Sequence, residues 1–140
     1  MSLTNVKIID FPKITDHRGS LSFVEGNKHI PFDIKRIYYL YDIPTNIERG
    51  AHGHKELEQI VIPISGSFDF TLDDGYKRKT FSLKEPSQGL YVPSMMWREL
   101  TDFSSGSVCL ILASDVYKEE DYYRNYEEFL DAVKSQIQGN

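Results

Sequence analysis

The sequence has little that would point to disulfides or to a membrane. It contains one cysteine, Cys109, in the apolar stretch SVCLILAS, which excludes an internal disulfide and predicts an inert, buried side chain. It has no run of eighteen apolar residues, and the stretch MSLTNVKIIDFPKI lacks a basic region followed by an apolar core. We therefore expect no membrane span, no signal peptide and a cytoplasmic location.

Neither sign of charge strongly dominates. The chain carries 16 Lys and Arg against 21 Asp and Glu, a formal net charge of -5, which disfavours general binding to nucleic acids. This balance still permits a small anionic ligand held by a few local arginines. Linkers and internal repeats are also missing, and 140 residues with 40% hydrophobic content suit one domain, so a single domain over residues 1–140 is predicted.

Aromatic residues, in contrast, are abundant, with nine tyrosines and eight phenylalanines among short apolar runs bounded by turn residues. The clearest hairpin is SFDFTL-DDG-YKRKTFSL, where Phe68, Phe70 and Leu72 alternate with polar residues. At least eight strands are predicted over about residues 6–115, and the change of period in the tail predicts an amphipathic helix over about residues 118–137. The predicted fold class is all-β, a double-sheet jelly roll or small barrel with a C-terminal α-helix.

The stretch HGHKELEQIVIPISG resembles the first metal-binding motif of cupin jelly rolls, because it contains His52, His54 and the closing Gly66. It departs from that motif at the carboxylate ligand. Gln59 stands at the ligand position, while Glu58 is one residue early and, by the period of two in a strand, faces the other side.

The second cupin motif corresponds to GLYVPSMMWREL, in which Arg98 occupies the position of the last histidine. A guanidinium is always protonated and repels a divalent cation. Because two of the four ligands are replaced, the sequence predicts neither a metal nor another cofactor. Two other interpretations stay open, namely a residual metal site and two structural histidines on an edge strand.

A pocket lined by two imidazoles, an amide and an arginine, with tyrosines from RIYYLYD, has the groups that move protons and hold an anion. An imidazole has an unperturbed pKa of about 6.5 and can exchange a proton near neutral pH. A nearby arginine can stabilise a developing enolate oxygen. These residues favour proton abstraction next to a carbonyl.

Five blocks, spread over about residues 5–130, resemble the sugar 3,4-ketoisomerases, small cupin enzymes acting on dTDP-4-oxo-6-deoxyglucose. The blocks are DHRGSLSFVEGNKHIPFDIKRIYYLYD, ERGAHGHKELEQ, LDDG, GLYVPSMMW and DFSSGSVCLILASDVYKEEDYYRNYEEF. The resemblance implies a cupin jelly roll (a double-stranded β-helix) that needs no metal. It also implies a homodimer whose strands from about Val6 to Glu25 are exchanged, and a role in making 3-amino-3,6-dideoxy sugars for bacterial surface polysaccharide.

The same resemblance implies an isomerase that moves a keto group from C4 to C3 through an enediolate, with His52 as the base and His54 and Tyr38 as further catalytic groups. His17 and His29 are expected to be surface residues. The substrate-binding candidates from the resemblance and the pocket carry a positive charge or an amide: Arg18, Arg49, Lys55, Gln59 and Arg98.

Within this set, Arg49 and Lys55 are assigned to the diphosphate. Two alternatives remain, a cupin epimerase acting at C3 or C5 of a nucleotide sugar, and a non-catalytic sugar-binding cupin with structural histidines. The configuration of the product at C4 is also open. One histidine suffices for a galacto product, whereas a gluco product needs a second donor on the other face of the ring, such as a tyrosine, His54 or a water.

Overall fold

The computed structural model describes residues 2–138, which form twelve strands and one α-helix. The strands are β1 (Lys7–Asp10), β2 (Lys13–Asp16), β3 (Gly19–Ser22), β4 (Arg36–Leu40), β5 (Arg49–His54), β6 (Gln59–Ser65), β7 (Phe68–Asp73), β8 (Arg78–Leu83), β9 (Gln88–Val92), β10 (Trp97–Thr101), β11 (Val108–Ala113) and β12 (Tyr122–Tyr123). The helix, α1, spans Tyr126–Gln138. No helix within these residues is long and apolar enough to cross a membrane.

Two five-stranded antiparallel sheets enclose the core. One has the order β1-β9-β6-β11-β4 and the other β12-β5-β10-β7-β8. Inward side chains from both sheets meet between them, such as Val61 and Ile111 from the first sheet and Phe70 and Leu100 from the second, all fully buried. The architecture is the predicted all-β jelly roll with a C-terminal helix.

The predicted β7–β8 hairpin forms, with Phe70 opposite Phe81. In its turn, Gly75 has a φ of +95°, a conformation that favours glycine. A Cβ at this position would lie 2.9 Å from Val133 Cγ1 in α1. The turn glycine therefore also allows the helix to pack closely against the hairpin.

The helix begins at Tyr126, about eight residues later than predicted. Asn125 caps the N-terminus of the helix, because its Oδ1 accepts a hydrogen bond from the Glu128 N–H. The preceding residues cannot join the helix since Tyr122 and Tyr123 pair with His54 and Gly53 of β5. Instead of the predicted first helical turns, this segment forms a 3-10 turn at Glu119–Asp121 and then β12, which covers the histidines.

The N-terminal strands divide into two parts. β1 pairs with β9 of the same chain, with Ile8 opposite Leu90. β2 and β3 pair only with each other, and every residue in them is exposed. β1 thus completes a sheet of its own chain, whereas the β2–β3 hairpin projects from the body of the chain. The exchange of strands from about Val6 to Glu25 in a homodimer stays a prediction.

Candidate active site

Strands β5 and β10 place an imidazole beside a guanidinium inside the barrel. His52 lies opposite Arg98 in the register of the two strands, and a β-bulge follows Arg98. Gly50 accommodates this bulge with a φ of +70°, and a Cβ there would lie 2.6 Å from Leu100 Cδ1. Because side chains two residues apart share a face of a strand, His54 points the same way as His52, and their ring centroids are 5.0 Å apart.

Arg98 is the centre of a buried hydrogen-bond network. Its Nε donates to His52 Nε2 at 3.1 Å, its Nη1 donates to Gln59 Oε1, and its Nη2 donates to Tyr38 OH at 3.0 Å. The side chain is 3% exposed, and all three partners are uncharged. A buried cation held by neutral acceptors leaves a positive potential that suits an anionic ligand or intermediate.

Tyr38 and Gln59 complete this network from strands β4 and β6. The Gln59 Nε2 donates to the Tyr38 hydroxyl at 2.5 Å, so this oxygen accepts two hydrogen bonds, one from Gln59 and one from Arg98. Its own proton is used by neither contact and stays available for a ligand. Gln59 faces the interior, whereas Glu58 accepts from Tyr91 OH on the outer side of the sheet, as the period of two predicts.

His54 is held by an acid from the C-terminal segment. Its Nδ1 lies 3.1 Å from Asp121 Oδ2, and the ring is 3% exposed. The other carboxylate oxygen of Asp121 accepts from the Glu56 N–H at 2.8 Å, and the Asp121 carbonyl accepts from the Lys55 N–H at 2.8 Å. The Nε2 of His54 is buried and has no hydrogen-bond partner among the described residues.

Both imidazoles are neutral at physiological pH. Burial, reinforced by the positive charges of Arg98 and Arg124, lowers the pKa of His52 to about 3. Burial, followed by the charge of Arg98, lowers the pKa of His54 to about 2. A neutral imidazole has one lone pair and one N–H, so each ring can accept a proton at one nitrogen only.

The segment around β12 covers the two histidines. The ring of Tyr122 lies 5.1 Å from the ring of His52 and 4.5 Å from that of His54, and the guanidinium of Arg124 lies 4.2 Å from the Tyr122 ring centroid. Beside this cover, a cavity of about 170 Å³ is lined by His54, Asp121, Tyr122 and Arg36, among others. His54 lines this cavity, whereas His52 and Arg98 do not.

The structure brings five of the predicted site residues into one cluster: Tyr38, His52, His54, Gln59 and Arg98. The remaining three lie elsewhere in the described chain. Arg18 is at the turn of the β2–β3 hairpin, where it pairs with Asp16 at 2.7 Å and is 79% exposed. Arg49 and Lys55 are exposed on either end of β5.

Within residues 2–138, no group of three or more His, Cys, Asp or Glu side chains is placed to hold a metal ion. Gln59 and Arg98 stand where a cupin metal site has its other two ligands, and they are hydrogen-bonded to each other. Cys109 is fully buried, as predicted, and burial raises the pKa of its thiol to about 12. Metal independence stays a prediction for solution measurements.

Comparison with known proteins defines the family. The family model described as "FdtA: WxcM-like, C-terminal" matches residues 4–134. The chain belongs to this FdtA family. A TDP-4-oxo-6-deoxy-alpha-D-glucose-3,4-oxoisomerase from Aneurinibacillus thermoaerophilus is 49% identical to it over 123 residues, 88% of each chain.

Solved structures of similar proteins agree with this FdtA-family assignment and with the predicted cupin jelly roll. A histidine-to-asparagine mutant of the 3,4-ketoisomerase QdtA from Thermoanaerobacterium thermosaccharolyticum, in complex with TDP-4-keto-6-deoxyglucose, has a TM-score of 0.93 and 43% identity, covering 96% of this chain and 97% of that one. The TDP-quinovose 3,4-ketoisomerase WlaRB from Campylobacter jejuni has a TM-score of 0.87 and 50% identity, covering 91% and 98%.

In this FdtA-family chain, two features beside the histidines were not predicted from the sequence, namely Asp121 and the cover formed by Tyr122. Asp121 is 67 residues from His54 and lies in the acidic run KEED, which is typical of a solvated helix start. The spacing of the tyrosines matches a helix better than a strand. Both the acidic run and the tyrosine spacing therefore predicted a helix and gave no indication that these residues lie beside the histidines.

Proposed function

We propose that this chain is a nucleotide-sugar isomerase that moves the keto group of dTDP-4-oxo-6-deoxyglucose from C4 to C3. The observation that carries this proposal is the buried network in which Arg98 holds a neutral His52 beside Tyr38 and Gln59. It supplies a proton acceptor, a cation for a developing enolate and a hydroxyl proton donor in one buried cluster. The 49% identity to a TDP-sugar oxoisomerase supports the substrate class.

His52 acts as the base that removes the C3 proton. In the free protein its Nε2 accepts the Arg98 Nε–H, so this lone pair is occupied. A substrate oxygen that takes over the Arg98 Nε–H releases the lone pair and places the guanidinium on the enediolate oxygen. The negative charge of the bound diphosphate opposes the charges of the arginines, which raises the basicity of His52 in the complex.

The enediolate then receives a proton at C4 to give the 3-keto product. His52 can return the proton that it took if both positions lie on one face of the ring. The Tyr38 hydroxyl, whose proton is free, is the candidate donor for the opposite face. The proposed reaction thus conserves all atoms and needs no cofactor.

The proposed functional unit is a homodimer in which β2–β3 hairpins are exchanged. Three large apolar side chains are exposed on and next to this hairpin, with Ile14 61%, Leu21 57% and Phe23 42% exposed. The hairpin and the outer face of the first sheet line an apolar groove of about 390 Å³, whose sheet side includes Ile37 and Ile64. A second copy would cover both surfaces, and the exchange would carry Arg18 toward the partner's substrate.

The product, a 3-keto sugar, has its carbonyl at the position where a 3-amino group is installed. The chain is therefore proposed to act in the synthesis of 3-amino-3,6-dideoxy sugars for bacterial surface polysaccharide. This assignment rests on the chemistry of the product.

Incubation with dTDP-4-oxo-6-deoxyglucose in deuterated water, followed by NMR, tests the proposal. We expect a product with its carbonyl carbon at C3 and deuterium at C4. A product that keeps the C4 ketone and gains deuterium at C3 or C5 would instead show an epimerase. Tight binding of the substrate with neither turnover nor deuterium incorporation would show a non-catalytic binding protein.

A further inference from the structure

The ring of His52 has few contacts that fix its orientation. Among residues 2–138, its one hydrogen bond is the one that Nε2 accepts from the Arg98 Nε–H at 3.1 Å. In the proposed reaction a substrate oxygen takes over this N–H, and the imidazole then keeps no hydrogen bond from the described chain. Rotation about the bond to an imidazole ring has broad energy minima, so packing must hold the plane of the base.

Two aromatic rings pack against His52. The ring of His54 lies edge-on, with the centroids 5.0 Å apart and an interplanar angle of 89°. The ring of Tyr122 in β12 is tilted by 52°, with its centroid 5.1 Å from that of His52. Rings at these separations attract one another in edge-on and tilted arrangements. Because Tyr122 comes from outside β5, it is the ring that fixes His52 relative to a second segment of the chain.

Tyr122 is itself held through its backbone and through its ring. Its backbone pairs with His54 in the ladder between β5 and β12. The guanidinium of Arg124 lies 4.2 Å from the Tyr122 ring centroid, and its Nε and Nη2 donate to the Glu119 carboxylate at 2.7 and 2.9 Å. A bidentate pair fixes the plane of a guanidinium, so Arg124 restrains the tyrosine ring that it covers.

The neighbouring Tyr123 packs on the other side of β12, because successive side chains of a strand point to opposite faces. Its ring lies 6.0 Å from that of Phe129 in α1, and the Lys55 Nζ lies 5.2 Å from its centroid. Both tyrosines are half-buried, and both pair with β5. Tyr123 therefore offers a matched position that supports β12 from the face turned toward α1.

We propose that Tyr122 is a positioning residue for the base of the isomerase, whose ring holds the plane of His52 and keeps water from it while the substrate occupies Arg98. This inference rests on the proposed function, because it assigns a support to the base of that reaction. The exposure of the His52 ring to water can also be measured without turnover.

The protonation of His52 reports on this cover. The charged and titratable groups around His52 come from several segments: Arg98 of β10, Tyr38 of β4, His54 of β5, and Tyr122 and Arg124 of the C-terminal segment. Burial, followed by the charges of Arg98 and Arg124, lowers the pKa of His52 to about 3. Without the Tyr122 ring, water reaches the imidazole and part of the desolvation is lost, so the pKa of His52 moves up toward its ordinary value.

The decisive variant is Tyr122→Leu, which removes the ring but keeps an apolar side chain. Tyr122→Phe keeps the ring and should behave as the wild type. Tyr123→Leu is the matched control, because it removes the same kind of ring from the same strand on the face that packs against Phe129.

The first measurement is NMR of ring-labelled histidine in the ligand-free proteins, between about pH 8 and pH 5.5, where an exposed imidazole titrates. We expect no titration of His52 in the wild type, Tyr122→Phe and Tyr123→Leu, and the onset of titration in Tyr122→Leu. A wild-type His52 with an ordinary midpoint of about 6.5 would overturn the proposal, whether or not the variants fold. Absence of titration in folded Tyr122→Leu would overturn it as well.

The second measurement is steady-state kinetics with dTDP-4-oxo-6-deoxyglucose. Tyr122→Leu should lower kcat by about 10–10²-fold, as expected for a misplaced catalytic group, with KM changed only a few-fold. In a His52→Asn background the same substitution should have little further effect, because Tyr122 acts through His52.

Three kinetic outcomes would contradict this expectation. An equal loss of kcat in Tyr123→Leu would show a purely structural role of β12 and refute the inference. A raised KM with unchanged kcat in Tyr122→Leu would show that the ring binds the substrate instead, and would also refute it. An inactive wild type would contradict the proposed function, and the NMR titration would then decide the role of Tyr122.

Discussion

The interior of the barrel contains buried polar side chains, whereas the outer face of the first sheet carries exposed apolar ones. This is the reverse of the usual distribution in a folded protein. Inside, Arg98, Gln59 and His54 are each no more than 3% exposed. Outside, Ile37 and Tyr39 are 56% and 58% exposed. Burial of polar groups and exposure of large apolar ones both cost free energy in an isolated chain.

The two regions meet this cost in different ways. Most of the interior polar groups are paired, because Arg98 donates to three neutral acceptors and the His54 Nδ1 lies 3.1 Å from Asp121 Oδ2, while the His54 Nε2 has no partner among the described residues. The exposed apolar side chains have no such partners, and Ile37 lines an open groove together with Ile64. A contiguous apolar surface of this kind is typical of an interface. The interior therefore suits a small ligand, and the exterior is the surface that we propose a second copy covers.

The largest effect that we predict concerns the interior. His52→Asn should reduce turnover by about 10²–10⁴-fold and leave nucleotide affinity nearly unchanged, because the base is lost while the binding groups remain. Steady-state kinetics and calorimetric titration with dTDP measure the two quantities. His29→Asn is the control, since His29 accepts the Glu25 N–H outside the barrel and an asparagine oxygen can replace its Nδ1. Retention of most activity by His52→Asn would assign the base to another residue.

Removal of the buried cation should have the next largest effect. Arg98→Ala should lower turnover by about 10²-fold or more, because the enolate loses its cation and donors. It should also destabilise the fold by about 1–3 kcal/mol for each buried acceptor left without a donor, measured by urea denaturation. Arg78→Ala, which removes an arginine paired with Asp73 and Glu99 outside the barrel, should keep wild-type kinetics. Wild-type rates for Arg98→Ala would show that the site is misassigned.

A charged substitution on the β2–β3 hairpin tests the proposed dimer interface. Leu21→Asp should weaken dimerisation by about 10–100-fold, because burial of a leucine contributes about 1.5–3 kcal/mol. Sedimentation over a range of concentrations measures the change. Tyr76→Asp, at an exposed aromatic residue in the β7–β8 turn of the other sheet, is the matched control. A monomeric wild type at micromolar concentration would rule out the proposed exchange.

The neutral histidines should make the fold sensitive to acid. Their pKa values in the folded protein, about 3 for His52 and about 2 for His54, lie below the unfolded value of about 6.5. Below pH 6.5 the unfolded chain therefore binds more protons, so stability is present above this pH and is lost as the pH falls. The expected slope between pH 6 and 5 is up to about 1.4 kcal/mol per pH unit for each histidine.

Urea denaturation at several pH values measures this slope. The double variant with His52→Asn and His54→Asn should be less stable at pH 7 but should show a flatter dependence between pH 6 and 5. His17 and His29 are kept in both proteins, so their contribution cancels. Equal slopes for the two proteins would mean that the buried histidines are protonated in the folded state.

The smallest expected effect is that of chelation. Prolonged treatment with EDTA should leave the rate unchanged, because Arg98 and Gln59 stand where a cupin metal site needs ligands. Metal analysis of the purified protein gives the complementary measurement. Stoichiometric metal, together with loss of turnover when it is removed, would show that the barrel interior is a metal site.

Local sequence patterns were sufficient where the structure depends on neighbours along the chain. The alternation of Phe68, Phe70 and Leu72 predicted the β7–β8 hairpin and its inward face. The same period of two predicted that His52 and His54 share a face and that Gln59 points inward while Glu58 does not. These features follow from the geometry of a single strand, so one stretch of sequence contains all the information that they need.

The remaining features of the site and of the N-terminal strands depend on contacts between distant parts of the chain. The pairing of β12 with β5 overrides the helical period of the tail and brings Asp121 to His54 across 67 residues. The register between β5 and β10 brings Arg98 to His52 across 46 residues. The pairing of β1 within its own sheet leaves the β2–β3 hairpin alone to project. Each of these contacts depends on which strands pair and in which register, and this choice is made by packing in the whole barrel, which no local pattern records.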